Sequence, residues 1–217
     1  MSKQSRNNFR LTRPQGLLSG SILMLAAPLA MAHHPMGGAT PSTFSEGLLS
    51  GFGHPIIGVD HFAFLLVAAL LSFTLSGKAR YLVPLAFVGA TLGGTLYHLG
   101  AADLPLSEAV IALSALLGGL AVLLNRSAPA LLMAGLFAVI GVFHGYAYGE
   151  AIIGAEQTPL LSYLVGFAIM QYAVIAGGVK ALEYLAERSG RMQSLATRAG
   201  GLFATVTGTL FLALSMT

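Results

Sequence analysis

Six long apolar runs constrain this chain more than any other feature. They cover roughly residues 55–76, 81–100, 105–124, 129–149, 159–180 and 199–216. Each is close to the ~20 residues that a helix needs to cross ~30 Å of hydrocarbon. Only 9% of the residues are charged and 55% are hydrophobic, against about 25% charged in soluble domains. The expected fold is therefore an all-α integral membrane protein, a six-helix transmembrane bundle. Pro84, Pro105, Pro129 and Pro159 stand at or near the run starts, where a missing N–H is harmless.

Ahead of the runs stand Lys3, Arg6, Arg10 and Arg13, then the apolar stretch Gly16–Leu29, then Ala30-Met31-Ala32. A basic n-region, an h-region and an A-x-A site read as a signal peptide over 1–32. Cleavage there leaves seven basic against eight acidic residues. No basic patch for nucleic acid remains. Residues 33–53, rich in Gly, Ser, Thr and Pro, read as an exported segment, and 54–217 as the membrane domain.

Charge gives the orientation. With the mature N-terminus outside, Lys78, Arg80, Arg126, Lys180, Arg188, Arg191 and Arg198 all fall inside, as the positive-inside rule requires. The outer loops hold Asp103, Glu150 and Glu156 and no cation. The expected location is a bacterial inner membrane.

The histidines sort the other way. His54 and His61 fall at the outer end of the first span, His98 at that of the second, and His144 in the outer half of the fourth. His33 and His34 lie in the exported segment. The stretch His54-Pro55-Ile56-Ile57-Gly58-Val59-Asp60-His61 sets two imidazoles and a carboxylate where hydrocarbon begins. An Asp at a helix centre costs about 2.5–3.5 kcal/mol on insertion scales. A divalent transition metal is the expected return on that cost.

His54 is expected to cap the first helix, with Pro55 at its first position. His61 then lies on nearly the same face, two turns or about 10.5 Å deeper. Both rings reach one ion only if the helix start unwinds or other helices contribute. Asp60 either ligates or orients an imidazole. A hydrogen-bonded structural cluster is the plain alternative.

Phe143-His144-Gly145-Tyr146-Ala147-Tyr148-Gly149-Glu150 is the second constellation. Gly141, Gly145 and Gly149 form a small-xxx-small face that lets a neighbouring helix close in. Gly89 and Gly93 read as another such seam. His98 and Glu150 are possible additional ligands, as are His33 and His34 once the leader is removed.

Imidazole suits Zn, Cu, Fe and Ni, and alkaline-earth ions want more carboxylates. With no Cys in the chain, thiolate sites and disulfides are excluded. There is no G-x-x-x-x-G-K-[ST] phosphate loop, so any transport is secondary or relies on a partner. No organic cofactor is expected.

G-H-P-x-x-G-x-D-H at Gly53–His61 and F-H-G-x-A at Phe143–Ala147, following a signal peptide and within six apolar runs, resemble the HupE/UreJ family of hydrogenase and urease accessory membrane proteins. The resemblance implies a secondary permease for Ni²⁺ or Co²⁺, with His54, Asp60, His61 and His144 handling the ion. It implies a transporter rather than an enzyme. A membrane-embedded metal sensor or chaperone, or an intramembrane metallohydrolase, is the alternative reading. The chain also departs from the family pattern. Many members read F-H-G-x-A-H-G-x-E, where this chain has Tyr148 in place of the second His and Glu150 directly after Gly149. Many also carry a His in the fifth helix, where this chain has Gln171 and Tyr172.

Overall fold

The computed structural model describes residues 39–100 and 103–216. The expected leader over 1–32, and with it His33 and His34, lies outside the described residues. Every regular element among the described residues is helical. In chain order they are α1 (Phe44–Ile57), α2 (Val59–Phe73), α3 (Ala79–Leu82), α4 (Pro84–Leu99), α5 (Ser107–Leu123), α6 (Ala130–Glu150), α7 (Gln157–Arg188) and α8 (Gly190–Leu214).

Four of these are long and apolar enough to cross a membrane: α3 running into α4 as Ala79–Leu99, then α6, α7 and α8. α1 and α2 qualify together as a fifth, bent by 75° at the break between them. α5 is apolar but has 17 residues, a rise of about 25 Å, shorter than a full hydrocarbon crossing. Over the described residues the chain is thus an all-helical membrane protein with four or five spans by length and composition.

The first span begins well before Pro55. α1 starts at Phe44 under Thr43, and His54 lies in its last turn. Thr43 accepts from the Glu46 N–H (3.2 Å), and the Glu46 carboxylate accepts from the Ser42 and Thr43 N–H groups (2.8 and 3.3 Å). This T-x-x-E capping box satisfies the orphan amides of the first turn. The expected exported segment is therefore helical from Phe44 onward. Pro55 sits inside α1, where it removes one amide donor, and the helix ends three residues later at Gly58.

The expected inner loop beyond residue 180 is also helical. α7 runs to Arg188 and α8 starts at Gly190, with the extended Ser189 between them capping α8. Arg188, Arg191 and Arg198 therefore stand on helices rather than in a loop.

Three helix pairs surround α2: α4 with α6, α5 with α8, and α1 with α7. Lipid supplies no hydrophobic drive for helices to associate, so close approach rests on small residues. A Cβ at Gly145 would run into the Thr91 carbonyl of α4. One at Gly141 would stand 2.7 Å from the Phe87 carbonyl oxygen, and one at Gly149 2.9 Å from the His98 Cβ. The expected seam at Gly141, Gly145 and Gly149 is thus the α4–α6 contact. Its counterpart on α4 is Gly94, against the Val142 carbonyl, whereas Gly89 and Gly93 face open space. The predicted Gly89/Gly93 seam is not used, because α6 packs on the other face of α4. Gly47 and Gly51 let α1 lie against Pro159 and Tyr163 of α7, and Gly119 and Gly208 join α5 to α8. Within this ring α2 buries Ala63, Phe64, Leu65 and Val67 against Phe87, Phe137 and Ile175.

The two ends of the bundle differ in charge. At one end the Arg80 guanidinium meets Glu183 at 3.0 Å, Lys180 meets it at 3.1 Å, and Tyr81 donates to it at 2.8 Å. Leu70, Val122 and Leu182 cluster at the same end, placing Arg126 just beyond. At the opposite end α1 starts beside Pro159, and Thr40 donates to the Ile153 carbonyl at 3.4 Å.

Candidate metal centre

His54, His61 and His144 gather where the chain breaks, at the end away from the basic residues. Gly58 both closes α1 and opens α2 (φ −67°, ψ 100°). Its N–H donates to the His54 carbonyl at 3.1 Å, and its own carbonyl accepts from Phe62 at 2.8 Å. A Cβ at Gly58 would stand 2.7 Å from His61 Cδ2. Glycine is needed here for close approach, since its φ is ordinary, and it lets the imidazole of His61 lie on the turn.

The bend brings together what a straight helix separates. The His54 and His61 ring centroids are 5.6 Å apart, whereas seven residues of ideal helix rise about 10.5 Å. His144, on α6 beside the Gly seam, reaches His61 with 3.0 Å between their Nδ1 atoms. Tyr148, one turn beyond His144, packs at 4.9 Å from His54 and 4.4 Å from His61. His54 is 1% exposed, Asp60 4%, and His61 and His144 0%.

Asp60 lies in the first turn of α2 and accepts from the His61 N–H at 2.9 Å. The N-terminus of a helix presents unpaired N–H groups and the positive end of its dipole. That placement is how a carboxylate is tolerated at this depth. The broken helix thus offers two imidazoles and a carboxylate at facing helix ends, one contributed by α1 and two by α2. Among the described residues, no three His, Asp or Glu side chains already converge as a closed cage for an ion.

The other candidates are not drawn into this cluster. His98 packs edge-on against Tyr146 at 4.0 Å, and its Nδ1 has no hydrogen-bond partner among the described residues. Glu150 ends α6 as an exposed side chain.

The structure adds residues that the sequence reading missed. Tyr163 of α7 bonds His54 Nδ1 at 2.8 Å and the Tyr148 carbonyl at 2.7 Å. Ser114 of α5 bonds the Ile111 carbonyl at 2.6 Å and stands 3.3 Å from His144 Nε2. Thr91 of α4 meets Gln171 of α7 at 3.0 Å, both fully buried. The available signal was a polar side chain inside an apolar run, which must find a partner within the bundle.

The sequence matches the pattern of the family described as HupE / UreJ protein over residues 21–211. It is 29% identical over 150 residues to Protein HupE of Rhizobium leguminosarum bv. viciae, covering 69% of this chain and 74% of that protein. No solved structure matches it. With the match spanning nearly the whole chain and the broken helix carrying both halves of its first motif, the chain belongs to the HupE/UreJ family.

Proposed function

We propose that the protein is a secondary transporter that takes Ni²⁺ or Co²⁺ from the outer face of a bacterial inner membrane inward. The ion is its substrate. His54, Asp60 and His61 exchange the water shell of the ion for imidazole and carboxylate, and His144 acts with them through its contact to His61. The observation that carries this reading is the break at Gly58, with a buried carboxylate and two buried imidazoles on the half-helices beside it. Discontinuous helices with facing ends are how transporter folds hold ions at membrane depth. Membership of a family whose resemblance implies nickel or cobalt handling supports the choice of ion. The histidine end carries no Lys or Arg among the described residues and stands opposite the Arg80, Arg126 and Lys180 end, which supports an outward-facing site by the positive-inside rule. His33 and His34 of the exported segment are proposed to gather the ion ahead of the site.

A second reading, a membrane metal sensor or chaperone without transport, is favoured by one observation. A cavity of about 390 Å³ runs between α2, α5 and α6 from Ser114 toward Arg126, and Val67, Met133, Phe137 and Ile140 line it. These are poor ligands for a departing cation. The two readings separate when equilibrium binding and proteoliposome uptake are measured on one preparation. Binding together with saturable uptake supports the permease. Binding without uptake from folded protein supports the sensor, and metal-dependent hydrolysis would point to the metallohydrolase.

A further inference from the structure

Counting protons on two hydroxyls assigns the tautomer of every imidazole in the cluster. Tyr163 has one O–H. The Tyr148 carbonyl, 2.7 Å away, can only accept, so that proton points there. The 2.8 Å contact between Tyr163 and His54 Nδ1 must then run the other way, with His54 Nδ1–H donating. A neutral imidazole carries one N–H, so the lone pair of His54 is on Nε2.

A second hydroxyl stands on α5. The single proton of Ser114 goes to the Ile111 carbonyl at 2.6 Å. His144 Nε2–H therefore donates to Ser114 Oγ across 3.3 Å. That leaves the lone pair of His144 on Nδ1, and His61 Nδ1–H donates to it across 3.0 Å. The lone pair of His61 is then also on Nε2.

We propose that Tyr163 and Ser114 are positioning residues for the cation site, which orient His54 Nε2 and His61 Nε2 as its two nitrogen donors. Tyr163 acts on His54 directly, and Ser114 acts on His61 through His144. His144 spends both ring nitrogens on protein groups and handles the ion through His61. This assignment rests on the cation-site reading above. Outer partners that fix a ligand imidazole are worth about 10–100-fold in metal affinity.

The test uses the full-length protein with nitrogen-labelled histidine, metal-free in detergent. Long-range nitrogen–proton spectra distinguish the two neutral tautomers, with His54→Asn, His61→Asn and His144→Asn assigning the signals. In the wild type, His54 and His61 are expected as Nδ1–H and His144 as Nε2–H. Any of the three in the other tautomer in the wild type would overturn the proposal. Tyr163→Phe is expected to release the His54 tautomer alone and weaken Ni²⁺ and Co²⁺ binding about 10–100-fold. Ser114→Ala is expected to release His144 and His61 together, and Ser114→Thr to restore them. Variants that lose thermal stability while all three tautomers stay fixed would show a purely structural role and overturn it too. Tautomers as assigned, in a wild type that binds neither ion, would instead sink the cation reading and leave the proton arrangement standing.

Discussion

His54 and His61 are seven residues apart in sequence, yet their rings are 5.6 Å apart because the chain turns by 75° between them. The turn rests on Gly58, whose missing side chain makes room for His61 Cδ2. Gly58→Ala fits the backbone and collides with the imidazole. Overpacking of this kind costs about 1–3 kcal/mol, so Ni²⁺ or Co²⁺ binding is expected to weaken about ten-fold or more. Titration calorimetry checks the affinity, and circular dichroism checks that helix content is unchanged.

Among the described residues Asp60 is the only buried carboxylate. Asp60→Asn keeps its size and the acceptor for the His61 N–H, and removes the charge. The account expects a folded protein whose cation uptake falls at least about ten-fold, as expected when a charge-assisted contact is lost. Uptake equal to wild type would remove Asp60 from the site.

The α4–α6 seam yields a stability prediction. Gly145→Ala drives a methyl into the Thr91 carbonyl, and Gly89→Ala meets nothing. The first is expected to destabilise the protein by about 1–3 kcal/mol, and the second to be neutral or slightly stabilising. Paired thermal denaturation in detergent compares them.

The cap of α1 is separable from the site. Thr43→Ala removes the acceptor for the Glu46 N–H and is expected to cost about 0.5–2 kcal/mol. Metal binding should persist, since Thr43 stands eleven residues before His54. Amide exchange at the start of α1 reads the fraying.

Much of this architecture was legible in the sequence where one residue's chemistry decided the matter. Membrane character followed from apolar length and scarce charge. The Gly141–Gly149 seam followed from its four-residue spacing, and His54, Asp60 and His61 stood out as polar residues at the head of an apolar run. The break at Gly58 was not legible, because Pro55 after a Gly- and Ser-rich stretch reads equally well as a helix start. The competing signal, Thr43 with Glu46, was present and marks the true N-terminus. Gly89 and Gly93 share the seam spacing, but which face of α4 is covered depends on where α6 lies. Tyr163 and Ser114 were hidden for another reason. They meet His54 and His144 across 109 and 30 residues, and nothing local in their apolar runs names the partner.

The most direct test of the central claim is uptake of Ni²⁺ and Co²⁺, each offered separately, into proteoliposomes carrying wild type or His61→Ala. Saturable uptake of at least one ion is expected in the wild type, abolished in a variant that still folds. Uptake unchanged in His61→Ala, or no flux from folded wild type, would contradict it.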